Sequence, residues 1–160
     1  MIKQIKKNDN HWDDFISHLK RANMLQHVAF DKYDYIFLAK IIDNDVVGHI
    51  STIKEPLEIP SLEKKSIKYN SKELFEYYVQ TFFVDENYRR KGYGKELQKE
   101  AYRFSCEQGA YQLRSWSSYD KMANYQLKLS LGFAIHPGHT YVSKTNQYIP
   151  GVYFVKTCSC

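Results

Sequence analysis

Hydrophobic and polar positions along the chain fall into stretches of two different periods. Ile2 and Ile5 open it as a short strand. Over residues 11–20, Trp12, Phe15, Ile16 and Leu19 recur at intervals of three and four, which gives a helix one apolar face. The stretch Arg21–Phe30 leaves room for a second short helix. Tyr35–Ile42 is a run of branched and aromatic residues, the composition of a strand. Asp43-Asn44-Asp45 then supplies turn chemistry and Val46–Ile50 resumes as a strand, so the two predict a hairpin. Residues 54–74 hold Pro56, Pro60 and mixed Lys and Glu without a sustained period, and read as a long loop.

The second half alternates more regularly. Tyr78–Val84 predicts a strand and Asp85–Tyr88 a turn. A helix follows to about Glu107, with Tyr93, Leu97, Ala101 and Phe104 on one face and Gly109 as its stop. Tyr111–Trp116 reads as a strand, and 121–131 as an amphipathic helix ended by Gly132. Pro137-Gly138 and Pro150-Gly151 read as turns of a terminal hairpin whose last strand is Gly151–Thr157. This order predicts a mixed α/β fold. With 160 residues, no internal repeat and no linker, the chain reads as one domain, 1–160.

Charge changes the picture only slightly. Lys and Arg number 23 against 18 Asp and Glu, and the net +5 favours anionic partners without choosing among them. No helix carries a dense Lys/Arg stripe and the aromatics form no RNA-binding signature, so no nucleic-acid partner is expected. No run approaches the roughly 20 apolar residues that span a bilayer. The start, MIKQIKKNDN, lacks the apolar stretch of a signal peptide. A cytoplasmic protein without a membrane partner is the expectation.

Three cysteines, Cys106, Cys158 and Cys160, have no framework spacing, which argues against a disulfide scaffold. Cys106 lies off the apolar face of its helix and reads as a passive thiol. The other two fall at a chain end that ordinarily frays. The histidines are scattered, and His136 and His139 merely flank Pro137-Gly138, so no metal is expected.

The chemistry concentrates in Arg89-Arg90-Lys91-Gly92-Tyr93-Gly94. This segment leaves a strand and opens a helix, where the first N–H groups have no intrahelical partner and the dipole is positive. Glycines at 92 and 94 let an anion approach the backbone, and three adjacent cations add charge, an assembly that suits a pyrophosphate. It is neither a dinucleotide fingerprint, since Leu97 stands where G-x-G-x-x-G needs glycine, nor a P-loop.

Arg89-x-x-Gly92-x-Gly94 after a hydrophobic strand resembles the acetyl-CoA signature of the GNAT N-acetyltransferases. Leu131-Gly132-Phe133, closing the helix 40 residues later, resembles that family's second motif, and Val46–Ile50 its third strand. The resemblance implies the acyl-CoA N-acyltransferase fold: a central, mostly antiparallel sheet, splayed in the middle and flanked by helices. It implies acetyl-CoA as cosubstrate, with its pantetheine arm along the backbone of Phe82, Phe83 and Val84. Its pyrophosphate would lie on the segment Arg89, Arg90, Lys91, Gly92, Tyr93, Gly94 and Lys95.

The implied reaction is direct attack of a small-molecule or peptide amine on the thioester, with a general base and a general acid. Glu76 is the candidate base, with Tyr78 beside it, and the acid is Tyr125, Lys128 or solvent. The chain departs from the family pattern at Lys128, where a tyrosine is usual, and at Asn124, where an alanine is usual. These departures leave a second reading, an acyl-CoA-binding sensor or docking module of the same fold without turnover. The stretch 54–74 is expected to border the acceptor pocket, and a homodimer is compatible with the sequence.

Overall fold

The hairpin at Tyr35–Ile50 forms, and its second strand runs further than its own pattern indicates. The computed structural model describes residues 1–60, 63–142 and 145–158. Strands β1 (Ile2–Ile5), β2 (Tyr35–Ile42) and β3 (Asp45–Pro56) are followed by a two-residue pair, β4 (Lys68–Tyr69) and β5 (Lys72–Glu73). Then come β6 (Phe75–Val84), β7 (Gln112–Ser118), β8 (Ala134–Val142) and β9 (Gln147–Thr157). The helices are α1 (Trp12–Arg21), α2 (Tyr93–Glu107) and α3 (Met122–Ser130), and Leu25–His27 is only a 3-10 turn. The main sheet has seven strands in the order β1-β2-β3-β6-β7-β9-β8, antiparallel except for β6 beside β7.

The long loop read at 54–74 is thus partly strand. Lys54, Glu55 and Pro56 pair with Tyr77, Glu76 and Phe75, so it is the neighbouring strand that extends β3. Two apolar clusters occupy the two faces of the sheet. Phe15 and Leu19 of α1 pack with Ile5, Phe37, Ala39 and Val46 on one face. Leu97 and Ala101 of α2 pack with Ile50, Val79, Leu113, Phe133 and Phe154 on the other, joined at the edge by Tyr125 of α3.

Two irregularities in β6 shape the site. Its register against β3 slips between Ser51, opposite Thr81, and Thr52, opposite Val79, leaving Gln80 as a bulge. An extra residue exchanges the faces. Before it, Tyr77 packs against Phe104 of α2; after it, Thr81 meets His49 and Phe83 lies near His18 of α1, while Phe82 turns towards Gly94. The second irregularity is the parallel pairing to β7, which covers only Glu76–Tyr78 against Gln112–Arg114. Beyond it β7 continues on β9 alone and the two central strands part.

The terminal hairpin corrects one expectation. Pro137-Gly138 and Pro150-Gly151 lie inside strands, with Gly138 opposite Gly151 and His139 opposite Pro150. Proline is tolerated at 137 because β8 is an edge strand. The glycines answer to close approach: a Cβ on Gly151 would stand 2.3 Å from the Ser117 carbonyl, and one on Gly138 would stand 2.8 Å from the Tyr153 ring.

The cysteines supply the other correction. Cys106 is bonded to Cys158, 52 residues away, with Cα atoms 5.3 Å apart. The fold causes this. Thr157 ends β9 opposite Gln112, and the Cys158 N–H donates to the Tyr111 carbonyl, which sets Cys158 beside the last turn of α2. Cys160 lies outside the described residues.

Candidate active site

Where β6 and β7 separate, the β7-facing backbone edge of Val79–Val84 has no strand partner among the described residues. A row of N–H and C=O groups with no strand partner, its Val84 carbonyl taken by the Arg89 side chain, is a template for an extended ligand carrying amides. Ser115 on β7 and Asn124 on α3 are not exposed, and the Ser115 hydroxyl and the Asn124 side-chain carbonyl oxygen are buried without a hydrogen-bond partner. Ser115 lies on β7 where it has left β6, and its hydroxyl, with no acceptor or donor among the described residues, fits a polar ligand there.

The segment expected to receive an anion stands at the start of α2. The first intrahelical bond of this turn runs from Glu96 N–H to the Gly92 carbonyl at 3.0 Å, so the N–H groups of Tyr93, Gly94 and Lys95 have no helical acceptor. Gly92 is held at φ +85°, a conformation that disfavours any side chain, and nothing lies within 4 Å of where its Cβ would be. At Gly94 a Cβ would meet the Phe82 ring at 3.2 Å and Leu127 at 3.6 Å. The two glycines therefore serve different needs, one the turn and one the packing of the helix start against β6 and α3.

The three cations also differ. Arg89 turns back: its Nε donates to the Val84 carbonyl at 2.9 Å and its guanidinium lies over the Phe83 ring. It braces the loop against the end of β6. Arg90 and Lys91 are exposed and remain as charge around the site. A fourth cation enters from β2. Lys40 is largely buried, pairs with Glu96 at 2.5 Å and stands 4.5 Å from the centre of the Tyr93 ring. Its signal in the sequence was a lone lysine within the apolar run Tyr35–Ile42.

On α3, the Tyr125 hydroxyl donates to the Ser117 carbonyl at 3.3 Å, which sets it against the diverging half of β7. Burial, and then Asp120, raise the pKa of this phenol, so it keeps its proton at neutral pH. Lys128 lies elsewhere. It is 1% exposed, its ammonium donates to the Gln98 carbonyl oxygen at 2.7 Å, and it lies over the Phe133 ring. Burial alone pulls this amine from 10.5 down to about 7.

Glu76, Tyr78 and Arg114 gather at the junction where β6 and β7 still pair. Glu76 is 2% exposed, and both its oxygens accept: one from Gln112 Nε2 and one from Arg114 Nε, each at 2.7 Å. Arg114 also donates to Glu55 at 3.2 Å and lies 4.2 Å over the Tyr78 ring. Burial pushes the Tyr78 phenol up to about 12, against the pull of Arg114. Glu55, the register partner of Glu76 on β3, is half-buried, and its carboxyl is raised by burial, against the pull of Arg114, and then by Glu76. Glu55, Glu76 and Arg114 line an open cavity of about 1050 Å³, closed on another side by Pro56, Leu57 and Ile59. Residues 55–60 and Lys64 of the 54–74 stretch line this cavity. Glu55 was missed because a charged residue at a strand end carries no marking until its neighbour is known.

The model of the acetyltransferase (GNAT) family matches residues 5–133. No curated protein matches the chain in sequence comparison. Among solved structures, Arabidopsis thaliana NAA60 in complex with acetyl-CoA superposes with a TM-score of 0.73 at 16% identity, covering 98% of this chain and 99% of the other. The same protein with a bisubstrate analogue gives 0.72 at 17% identity, covering 98% of each. A probable acetyltransferase from Staphylococcus epidermidis gives 0.67 at 16% identity, covering 99% of each. At such identities the likeness is one of fold.

Proposed function

The chain belongs to the GNAT acetyltransferase family, and from that premise we propose that it transfers an acetyl group from acetyl-CoA to a primary amine within a ternary complex. The observation that carries this is the unpaired edge of β6 ending directly at the free N–H groups that open α2. An arm with two amides and a pyrophosphate needs those two features in that order. Phe82, Phe83 and the Val84 N–H (the Val84 carbonyl being taken by Arg89) would hold the arm through their backbone, and Tyr93, Gly94 and Lys95 the pyrophosphate, with Arg90, Lys91 and Lys40 supplying charge.

Bound acetyl-CoA supplies a thioester whose C–S bond breaks as the C–N bond forms. The amine arrives protonated. Glu55, with one oxygen open to the cavity, takes its proton and passes it to water. Glu76 is held by Gln112 and Arg114, so it acts as a positioning group that fixes Arg114 and, through it, Glu55. Tyr78 completes that clamp by its ring. Tyr125, protonated and set against the open half of β7, gives a proton to the departing sulfur and is reprotonated by water carrying the second proton of the amine.

The test is amine-dependent release of free thiol from acetyl-CoA. Tyr125→Phe is expected to lower kcat about 100-fold with KM for acetyl-CoA unchanged. Equal kcat in the two proteins would remove Tyr125 from the reaction. Tight acetyl-CoA binding without thiol release for any amine would instead favour the sensor reading, which the replacement of tyrosine by Lys128 suggests.

A further inference from the structure

The cavity wall that Glu55 and Arg114 share has a donor and an acceptor left over, side by side. Arg114 spends Nε on Glu76 and Nη2 on Glu55 and Glu76. Its Nη1, with two N–H donors, has no acceptor among the described residues. Glu55 accepts through Oε2 alone, which leaves Oε1 without a donor among them. These two side chains are 26% and 34% exposed, so their open edges face solvent, not the core. The guanidinium cannot swing away. Tyr78 and Tyr153 lie 4.2 and 5.4 Å from it, and the buried carboxylate of Glu76 grips it from behind.

A fixed carboxylate beside a fixed guanidinium edge is complementary to a ligand carrying an ammonium next to a carbonyl or carboxylate oxygen. A simple alkylamine would satisfy Glu55 and leave Arg114 unmet. A diamine would satisfy Glu55 and, even with its second cation on Glu58 of the same lining, leave Arg114 unmet. We infer that the acceptor is an α-aminoacyl group, its amine on Glu55 Oε1 and its first carbonyl oxygen on Arg114 Nη1. The apolar lip of Pro56, Leu57 and Ile59 would then receive its side chain. The inference rests on the acetyl-transfer reading and narrows its acceptor. The cavity lies on the face of the sheet opposite α2, beside the last paired residues Tyr78 and Arg114, and therefore next to the point where the strands part. An amine held there stands within about two residues' rise, on the order of 7 Å, of that point.

Alaninamide, alanine, an alanine-initiated tetrapeptide, propylamine and 1,4-diaminobutane form the test set. The readouts are thiol release and saturation-transfer NMR of each amine with the coenzyme A complex. Alaninamide or alanine is expected to exceed propylamine in kcat/KM by at least about tenfold, the value of one hydrogen bond to a charged group. Arg114→Lys is expected to bring that ratio close to one, and Glu55→Gln to abolish the NMR response to alaninamide. Preference for alanine would indicate free amino acids, and preference for alaninamide and the tetrapeptide would indicate chain N-termini. Propylamine or 1,4-diaminobutane turned over as well as alaninamide would overturn the inference while leaving acetyl transfer standing. If no amine releases thiol, alaninamide binding that is lost in Glu55→Gln still supports the site. Absence of binding, by a protein whose melting temperature is normal, refutes it.

Discussion

Lys128 should make the protein less stable than its fold allows, by an amount that depends on pH. Its ammonium is buried with no carboxylate partner among the described residues, and it donates to Gln98. Burial lowers the amine from 10.5 to about 7. At about 1.4 kcal/mol per tenfold change in proton affinity, keeping this group in the core costs roughly 4–5 kcal/mol near neutral pH. Lys128→Met keeps the volume and removes the penalty, but takes the donor from Gln98, a loss of about 1–3 kcal/mol. The net gain is about 2 kcal/mol, or about 4–8 °C in melting temperature for a chain of this size. The pH dependence carries the sharper test. Between about pH 7 and 10.5 the unfolded chain holds a proton here that the folded chain has released, so this lysine's penalty shrinks as pH rises. From pH 7 to pH 9 the advantage of Lys128→Met should fall by about 2 kcal/mol. Calorimetric melting of both proteins at the two values measures it. An advantage that is constant with pH, or a variant that melts lower at pH 7, would show that the ammonium stays charged in the fold.

Two further outcomes follow, one from a buried histidine pair and one from the disulfide. His18 and His49 stand 2.9 Å apart, with His49 also bonded to Thr81, and both are lowered chiefly by burial, His49 well below 6.5. The unfolded chain gains protons there first, so stability is full above about pH 6.5 and is lost as pH falls below it. The melting temperature of His49→Gln should fall less steeply than that of the wild type between pH 7 and 5, and equal slopes would contradict this. The Cys106–Cys158 bond closes a loop of about 50 residues, worth about 4 kcal/mol in the unfolded chain. Reductant should lower the melting temperature of the wild type by several degrees and leave Cys106→Ser unmoved; no change in either would mean that the bond does not form in solution.

Much of the fold was legible because its periods are local. The α2 face of Tyr93, Leu97, Ala101 and Phe104 is read from spacing, and its start from Gly92 and Gly94. What escaped depends on partners distant in sequence. Lys54–Pro56 become strand because Phe75–Tyr77 lie beside them, and the two Pro-Gly pairs become strand because β8 and β9 pair through them, with Trp116 and Tyr153 requiring the glycines. The disulfide was hidden for the same reason, since only the pairing of β9 with β7 brings Cys158 to α2. At the candidate site, the glycine-containing loop that opens α2 is a contiguous motif and could be read from the sequence. The Glu55–Arg114–Glu76 group is assembled from three strands, and of its members only Glu76 stood out. Arg89 shows the opposite case: it fits the motif by spacing, yet its side chain is spent on the Val84 carbonyl.

The most direct measurement is calorimetric titration of acetyl-CoA into the wild type and into Gly92→Val with Gly94→Val. Binding in the micromolar range or tighter, abolished in a double variant that still melts cooperatively, is the predicted result. Undiminished binding by the double variant would place the cosubstrate elsewhere. No binding by the folded wild type would contradict the acetyltransferase reading itself.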